Sequence, residues 1–153
     1  MTQAVKRPQA TELYFASLIA TAMVYAAGIL IFSALSFFGQ QTGGWGAVLS
    51  SIIFAIFFGT IAATAIAFLI TGPLGTGIGL AIVRLTPAGR WQGPVTGALV
   101  AIALEAFTVL VVAQERMEWE GGNAVMLAIP IILAMIAGAI VQQRVLRWPE
   151  QLR

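Results

Sequence analysis

One carboxylate of this chain is set in surroundings where it could do chemistry. Glu105 lies near the middle of the apolar run 93–113, and it is the only charged side chain deep within any long apolar run. On an α-helix it would lie about 18 Å from Gly93, close to the midplane of a bilayer. A carboxyl group buried there without a cation favours its neutral form, and it releases a proton when water reaches it. Glu105 is therefore predicted to be a buried intramembrane carboxylate that could exchange protons.

Two other roles for Glu105 stay open from the sequence. A glutamate that always keeps its proton would only form a hydrogen bond between helices, to a backbone carbonyl or to a hydroxyl group. The candidate hydroxyl groups are those of Ser17, Thr21, Tyr25, Thr60 and Thr64. Alternatively, Glu105 could pair with a basic residue of another subunit, because no Lys or Arg lies deep within any of the apolar runs.

The composition excludes several classes of chemistry. The chain has 153 residues, 59% hydrophobic and 9% charged, whereas about 25% of an ordinary soluble domain is charged. It contains no Cys, His or Asp, so thiol nucleophiles, the commonest general base and the commonest metal and haem ligands are missing. The net charge of +2 is carried by dispersed residues, which gives nucleic acid no basic patch to bind. We expect no catalytic residues, no metal and no cofactor.

Four apolar runs are long enough to cross a bilayer as helices, which need about 20 residues each. They cover residues 13–38, 47–70, 93–113 and 123–145. The four tryptophans fall between or beyond these runs, where indole rings meet lipid headgroups; they are Trp45, Trp91, Trp119 and Trp148. The sequence predicts an all-α, polytopic transmembrane four-helix bundle that forms a single domain.

The segment between the second and third runs does not fit a simple span. Residues 47–85 in one helix would be about 58 Å long, almost twice the thickness of the hydrocarbon core. A break is predicted where glycines and a proline cluster; these residues are Gly72, Pro73, Gly75, Gly77 and Gly79. The remainder, 73–85, is expected to form a short extra helix that either re-enters the membrane and lines a cavity or lies on its surface, anchored by Arg84.

Small residues recur at every fourth position of two runs, which places them on one face of a helix. In the second run they are Ser51, Ala55, Gly59, Ala63 and Ala67, and in the third run Gly97 and Ala101 precede Glu105 at the same spacing. Such faces let helix backbones approach closely in lipid. We predict that both faces are helix-packing surfaces and that Glu105 points into the bundle.

The distribution of basic residues predicts an orientation. If the amino terminus lies inside and there are four spans, seven of the eight basic residues fall in the inner segments, and only Arg116 falls outside. The inner residues are Lys6, Arg7, Arg84, Arg90, Arg144, Arg147 and Arg153. We therefore expect both termini in the cytoplasm and an integral protein of a membrane such as the bacterial inner membrane.

Two functions fit these features. The first is a non-catalytic accessory or structural subunit, which packs in the lipid bilayer with copies of itself or with other membrane subunits. The second is a small proton-coupled transporter or permeation protein, with Glu105 as the titrating group and the glycine-rich segment 72–79 as the gate. The sequence favours the first function, because the chain lacks nearly every catalytic side chain and leaves little room for a substrate cavity, and the transporter is the alternative.

Overall fold

The structure is a computed structural model that describes residues 8–38, 45–87, 89–112 and 121–146. The described part is helical and contains no strand. Its elements are α1 (Ala10–Phe38), α2 (Trp45–Ile66), a π-helical turn (Ala67–Thr71), α3 (Gly72–Leu85), α4 (Gln92–Val112) and α5 (Gly121–Arg144). The basic residues of both tails, Arg116 and the rings of Trp119 and Trp148 lie outside the described residues.

Two helical stretches within the described residues are long and apolar enough to cross a membrane. They are Ala10–Leu35, with 26 residues, and Val48–Leu85, with 38 residues, while Ala128–Arg144 forms a shorter apolar helix. The all-helical architecture and these two stretches agree with the fold class expected from the sequence. The arrangement as four membrane spans stays a prediction.

The predicted break at Gly72 and Pro73 is wrong, because the helix continues through both residues. Gly72 keeps right-handed helical angles (φ −59°, ψ −61°), and α2, the π-helical turn and α3 follow one another without a gap. The irregularity is the π-helical turn, in which the Gly72 N–H donates to Ala67 O, five residues back. A proline cannot donate to the carbonyl four residues earlier and collides with it, and the wider turn before Pro73 gives its ring room.

A side chain of α1 stabilises the π-helical turn. Because Gly72 N–H bonds to Ala67 O, the carbonyl of Phe68 loses its usual helical donor. The hydroxyl of Tyr14 donates to this carbonyl at 3.1 Å. The hydroxyl oxygens of Thr21 on α1 and Thr71 in the π-helical turn lie 2.9 Å apart in the same contact. The carbonyl that the π-helical turn leaves without its helical donor is thereby hydrogen-bonded within the bundle.

The short helix α3 is not a separate element, and its position within the membrane or on the membrane surface stays a prediction. It continues the course of α2 and packs against both α1 and α4. Its residues Gly72, Gly75, Gly79 and Val83 are buried, and they recur at three- and four-residue spacing. This small-residue face is the reason α3 fits inside the bundle.

Helix α1 runs antiparallel to the continuous helix formed by α2, the π-helical turn and α3. As the residue number rises along α1, the number of the contacting residue falls; the contacts are Leu13 with Gly79, Ser17 with Gly75, Thr21 with Thr71, and Tyr25 with Gly59. Glycines at three of these four positions let the facing side chains reach the helix surface. The first half of α1 therefore contacts α3, and its second half contacts α2.

Helices α4 and α5 form the most extensive helix pair among the described residues, and they too are antiparallel. Gly97 faces the backbone of Ala134, and Gly93 and Gly138 face each other's backbone. A methyl group added at any of these glycines would overlap a carbonyl oxygen of the facing helix. The close approach of the two backbones thus depends on glycine, as in the small-residue contacts of membrane helices.

Candidate functional site

A cavity of about 210 Å³ lies between α1, α3, α4 and α5. We call it the bundle cavity. Glycine and alanine form much of its wall, because side chains that end at Cα or Cβ leave space along the bundle axis; these residues include Ala16, Ala20, Gly75, Gly79, Gly97, Ala101, Ala134 and Gly138. Branched apolar side chains such as Val24, Val100 and Leu104 complete it. The wall is therefore mainly apolar.

The bundle cavity is elongated along the helices. Gln92 and Leu146 line one end, and Glu105, Val24 and Pro130 line the other. Thirteen residues separate Gln92 from Glu105 on α4, which corresponds to about 20 Å of helix. A ligand in the cavity would therefore lie parallel to the helix axes.

Among the described residues of this cavity wall, Glu105 is the ionisable one. Its Oε1 atom is buried and has no hydrogen-bond partner among the described residues. Gly97 and Ala101, which precede it at four-residue spacing, line the same cavity, so the carboxyl group and the small residues share one face of α4. A buried polar atom without a partner costs free energy comparable to a lost hydrogen bond, so such an atom points to a function or to an absent ligand.

The predicted hydroxyl partners of Glu105 are used elsewhere. Each donates to a carbonyl oxygen of its own or a neighbouring helix. Ser17 bonds to Leu13 O, Thr21 to Ser17 O, Tyr25 to Ala55 O, Thr60 to Ile56 O and Thr64 to Thr60 O. The hypothesis that Oε1 of Glu105 bonds to one of these hydroxyl groups is therefore wrong. A threonine or serine in a helix often satisfies its hydroxyl on the carbonyl four residues earlier, and this local bond prevails here.

Positive charge is distant from the carboxyl group along the described helices. Arg84 lies in the last turn of α3 and Arg144 in the last turn of α5. Both helix ends lie near Gln92, at the opposite end of the bundle cavity from Glu105. Pairing of Glu105 with a basic residue of another subunit stays a prediction.

Two buried glutamines close the end of the cavity away from Glu105. The side chain of Gln142, 2% exposed, accepts from the Gly93 N–H and donates to Gly89 O at 2.8 Å. Gln92, 3% exposed, donates to Thr86 Oγ1 at 3.0 Å and to Pro87 O at 3.2 Å. These bonds attach the α3–α4 connection to α4 and α5.

The glutamine pair was missed from the sequence. An amide near the end of an apolar run usually lies in the interface, so its type and position gave little reason to expect burial. The one available signal was that Gln142 lies four residues after Gly138, on the same face as Ala134. That face is the one that packs on α4.

The predicted break residues separate into two groups. Gly75 and Gly79 line the bundle cavity, and Gly72 is buried against the ring of Tyr14. Pro73 and Gly77 are exposed on the other side of α3, and a methyl group added at Gly77 would meet no atom within 4 Å. Only the face that carries Gly75 and Gly79 contributes to the candidate site.

The small-residue face of α2 lies outside the bundle cavity. Ala55, Gly59 and Ala63 are partly buried and Ala67 is buried, whereas Ser51 is exposed. Gly59 faces the hydroxyl of Tyr25, which donates to Ala55 O at 2.9 Å. The face therefore packs against α1 and contributes nothing to the wall around Glu105.

Comparisons of this chain with protein-family models, with curated proteins and with solved structures give no match. Within the described residues, no group of three or more His, Cys, Asp or Glu side chains could hold a metal ion.

Proposed function

We propose that this protein is a small proton-coupled transporter of a cellular membrane, with Glu105 as the group that takes up and releases the proton. The observation that carries the proposal is Oε1 of Glu105, which is buried in the wall of the bundle cavity and has no partner in the part of the chain that the structure describes. A carboxyl group that couples its protonation to the occupancy of a cavity has to lie in the wall of that cavity, where water can reach it.

The outer surface supports a membrane location. Large apolar side chains of α2 and the π-helical turn are strongly exposed, among them Phe54 and Phe57 at 63% and Leu69 at 76%. In water such a surface would drive aggregation, whereas in a bilayer it faces acyl chains at no cost. The helical architecture and two membrane-length stretches agree with this location.

We further propose four crossings with both termini in the cytoplasm, in a membrane such as the bacterial inner membrane. The excess of basic residues on the inner segments supports this orientation. The end of the bundle cavity formed by Gln92, Gln142 and the α3–α4 connection then faces the cytoplasm. Glu105 lies deeper, about 20 Å along α4 from Gln92.

The π-helical turn is the proposed hinge of the transport cycle. Turns of this kind often lie at functional sites, and a helix can bend there at low cost. Thr71, the last residue of the turn, lines the bundle cavity together with Gly75 and Gly79 of α3. Movement of α3 relative to α2 would therefore change the access of water to the cavity.

The test is proton flux in vesicles that contain the purified protein. Small organic solutes, phenyltrimethylammonium among them, are added one at a time to vesicles that hold a pH gradient. We expect the wild-type protein to dissipate this gradient faster than protein-free vesicles do when the added solute is one that it exchanges for protons. The Glu105→Gln variant, which has the same shape and no titrating group, should lose this flux. Glu12→Gln is the matched control, because Glu12 lies at the start of α1 and accepts a bond from Gln9 N–H outside the cavity wall.

Equal flux in the wild type and in Glu105→Gln would contradict the proposal. A variant that aggregates would give no answer, so the helical content and the elution volume of each variant are compared with the wild type first. Glu105→Asp provides a second variant that keeps the carboxyl group and should retain part of the flux.

The second candidate function is a non-catalytic accessory subunit of a larger membrane assembly. The surface of α2 favours this function. Apart from the π-helical turn that follows it, α2 packs against α1 among the described elements, and the rest of its apolar surface is exposed. Light scattering of the protein purified in mild detergent tests this function. An accessory subunit should co-purify with other polypeptides at a fixed ratio, whereas a self-sufficient transporter should elute as a monomer or homo-oligomer.

A further inference from the structure

We infer that the cargo of the bundle cavity is a small lipophilic monocation, which Glu105 binds in exchange for its proton. This inference rests on the proposed function, since it names the substrate class of the same site. The polar groups of the cavity wall that have no partner determine which ligand it could bind.

The hydroxyl groups of the wall need no hydrogen bond from a ligand. Ser17 donates to Leu13 O and Thr96 donates to Gln92 O. Thr21 and Thr71 have two hydroxyl hydrogens for three close contacts, to Ser17 O, to Ala67 O and to each other, so neither has a hydrogen left for a ligand. Gln142 uses both ends of its amide on backbone groups, as described above. Within the described wall, the polar atom that is buried without a partner is Oε1 of Glu105.

The complementary ligand therefore has one polar group and an apolar body. If Glu105 is ionised, a neutral donor would leave the negative charge of the carboxylate uncompensated in an apolar cavity, which is costly. A monocation compensates it fully. The protonated empty state and the ionised state with a bound cation then carry the same net charge, so one can replace the other without burying an unpaired charge.

The exchange step balances in atoms and charge. The O–H bond of the Glu105 carboxyl group breaks, the proton leaves to water, and the carboxylate that remains forms an ion pair with the entering cation. No electron is transferred and no covalent bond to the ligand forms. On the other side of the membrane a proton displaces the cation, and the carboxyl group is restored.

The size of the cavity bounds the ligand. A cavity of 150 Å³ lined by apolar side chains accommodates benzene, so 210 Å³ accommodates about eight to ten non-hydrogen atoms. Valine, leucine, alanine and glycine surround this space, which suits a hydrocarbon ring or short chain. An inorganic cation would leave the apolar wall uncovered.

No other ionisable group of the described helices faces Glu105. On α1, Glu12 lies in the first turn and Tyr25 bonds to Ala55 O on α2. Arg84 on α3 and Arg144 on α5 lie in last turns, near the glutamine end of the cavity. None of these four residues lines the bundle cavity. Competition between cation and proton should therefore depend on Glu105.

Equilibrium dialysis of the full-length protein in detergent micelles tests the inference, with protein-free micelles as the blank. Phenyltrimethylammonium is the probe, because it has ten non-hydrogen atoms and a fixed charge, and tert-butylbenzene is its neutral match in shape. We expect the cation to bind once per chain, with affinity at least about tenfold lower in Glu105→Gln and unchanged in Glu12→Gln. In weakly buffered solution at a pH where Glu105 is protonated, each bound cation should release about one proton.

Three results would overturn the inference: equal binding to wild type and Glu105→Gln, binding of tert-butylbenzene as tight as that of the cation, or no binding of the cation. The Glu105→Asp variant keeps the test valid if Glu105→Gln fails to fold, since it should bind the cation and the neutral probe with the same order of preference as the wild type. Proton flux that depends on Glu105 without cation binding would refute the cargo and leave the transporter standing. Cation binding at Glu105 without flux would refute the transporter and leave the site standing.

Discussion

The same spacing of small residues has different consequences in two regions of this molecule. In the bundle formed by α1, α3, α4 and α5, small residues at three- and four-residue intervals face one another and enclose a cavity. In α2 the interval is equally regular, but its glycine meets a tyrosine of α1, and the remaining sides of the helix are uncovered. A stripe of small residues thus predicts that another helix approaches, and the facing residues decide whether space is left.

A substitution in the α4–α5 contact should lower the free energy of unfolding more than any of the other substitutions compared below. Gly97→Leu would drive a side chain into the backbone of Ala134, so the two helices have to separate. We expect a loss of about 3 kcal/mol or more in the free energy of unfolding, measured by unfolding in mixed micelles with increasing denaturing detergent. Gly77→Leu is the matched control, since its position on α3 is open, and it should change stability by about 0.5 kcal/mol or less.

Replacement of the buried Gln142 should have the second-largest effect on the free energy of unfolding. Gln142→Ala removes the acceptor of Gly93 N–H and the donor to Gly89 O, and both backbone groups lie near the end of the bundle cavity. We expect a loss of about 2 kcal/mol, because buried backbone groups without partners retain their desolvation cost. Gln143→Ala changes the neighbouring exposed residue and should be nearly neutral in the same assay.

Two tyrosines of α1 allow the two regions to be compared with one chemical change. Tyr14→Phe removes the donor to Phe68 O, whose helical donor is already diverted by the π-helical turn. Tyr25→Phe removes the donor to Ala55 O, which lies within the regular part of α2 and keeps its own helical bond. We expect a loss of about 1 kcal/mol for the first and about 0.5 kcal/mol or less for the second. A larger loss for Tyr25→Phe than for Tyr14→Phe would contradict this, because the tyrosine hydroxyl would then matter more in the α1–α2 contact than at the π-helical turn.

The elements and the candidate carboxylate could be predicted from the sequence because both depend on local pattern. Long apolar runs gave the helices, and the four-residue spacing of Gly97, Ala101 and Glu105 placed the carboxyl group on a face with small residues. That face lines the bundle cavity in the structure.

The errors concern pairs of residues that are distant in sequence. Gly72 and Pro73 have weak helix propensity, yet the helix continues because the π-helical turn and the hydroxyl of Tyr14 together relieve the proline. No local rule identifies Tyr14 as the partner, because it lies 54 residues before Phe68. The hydroxyl groups expected around Glu105 bond to nearby carbonyls instead, and the buried glutamines became evident only once α4 and α5 were placed together.

Infrared difference spectroscopy of the protein in bilayers, recorded as the bulk pH is changed, tests whether Glu105 exchanges its proton with water. It observes the carboxyl C=O stretch of a protonated glutamate, and the Glu105→Gln variant identifies the band that belongs to Glu105. We expect a band that disappears reversibly as the pH rises and that is also lost when phenyltrimethylammonium is added at constant pH. A band that is insensitive to both would mean that Glu105 is a sealed acid with a structural role, and it would contradict proton exchange in the bundle cavity.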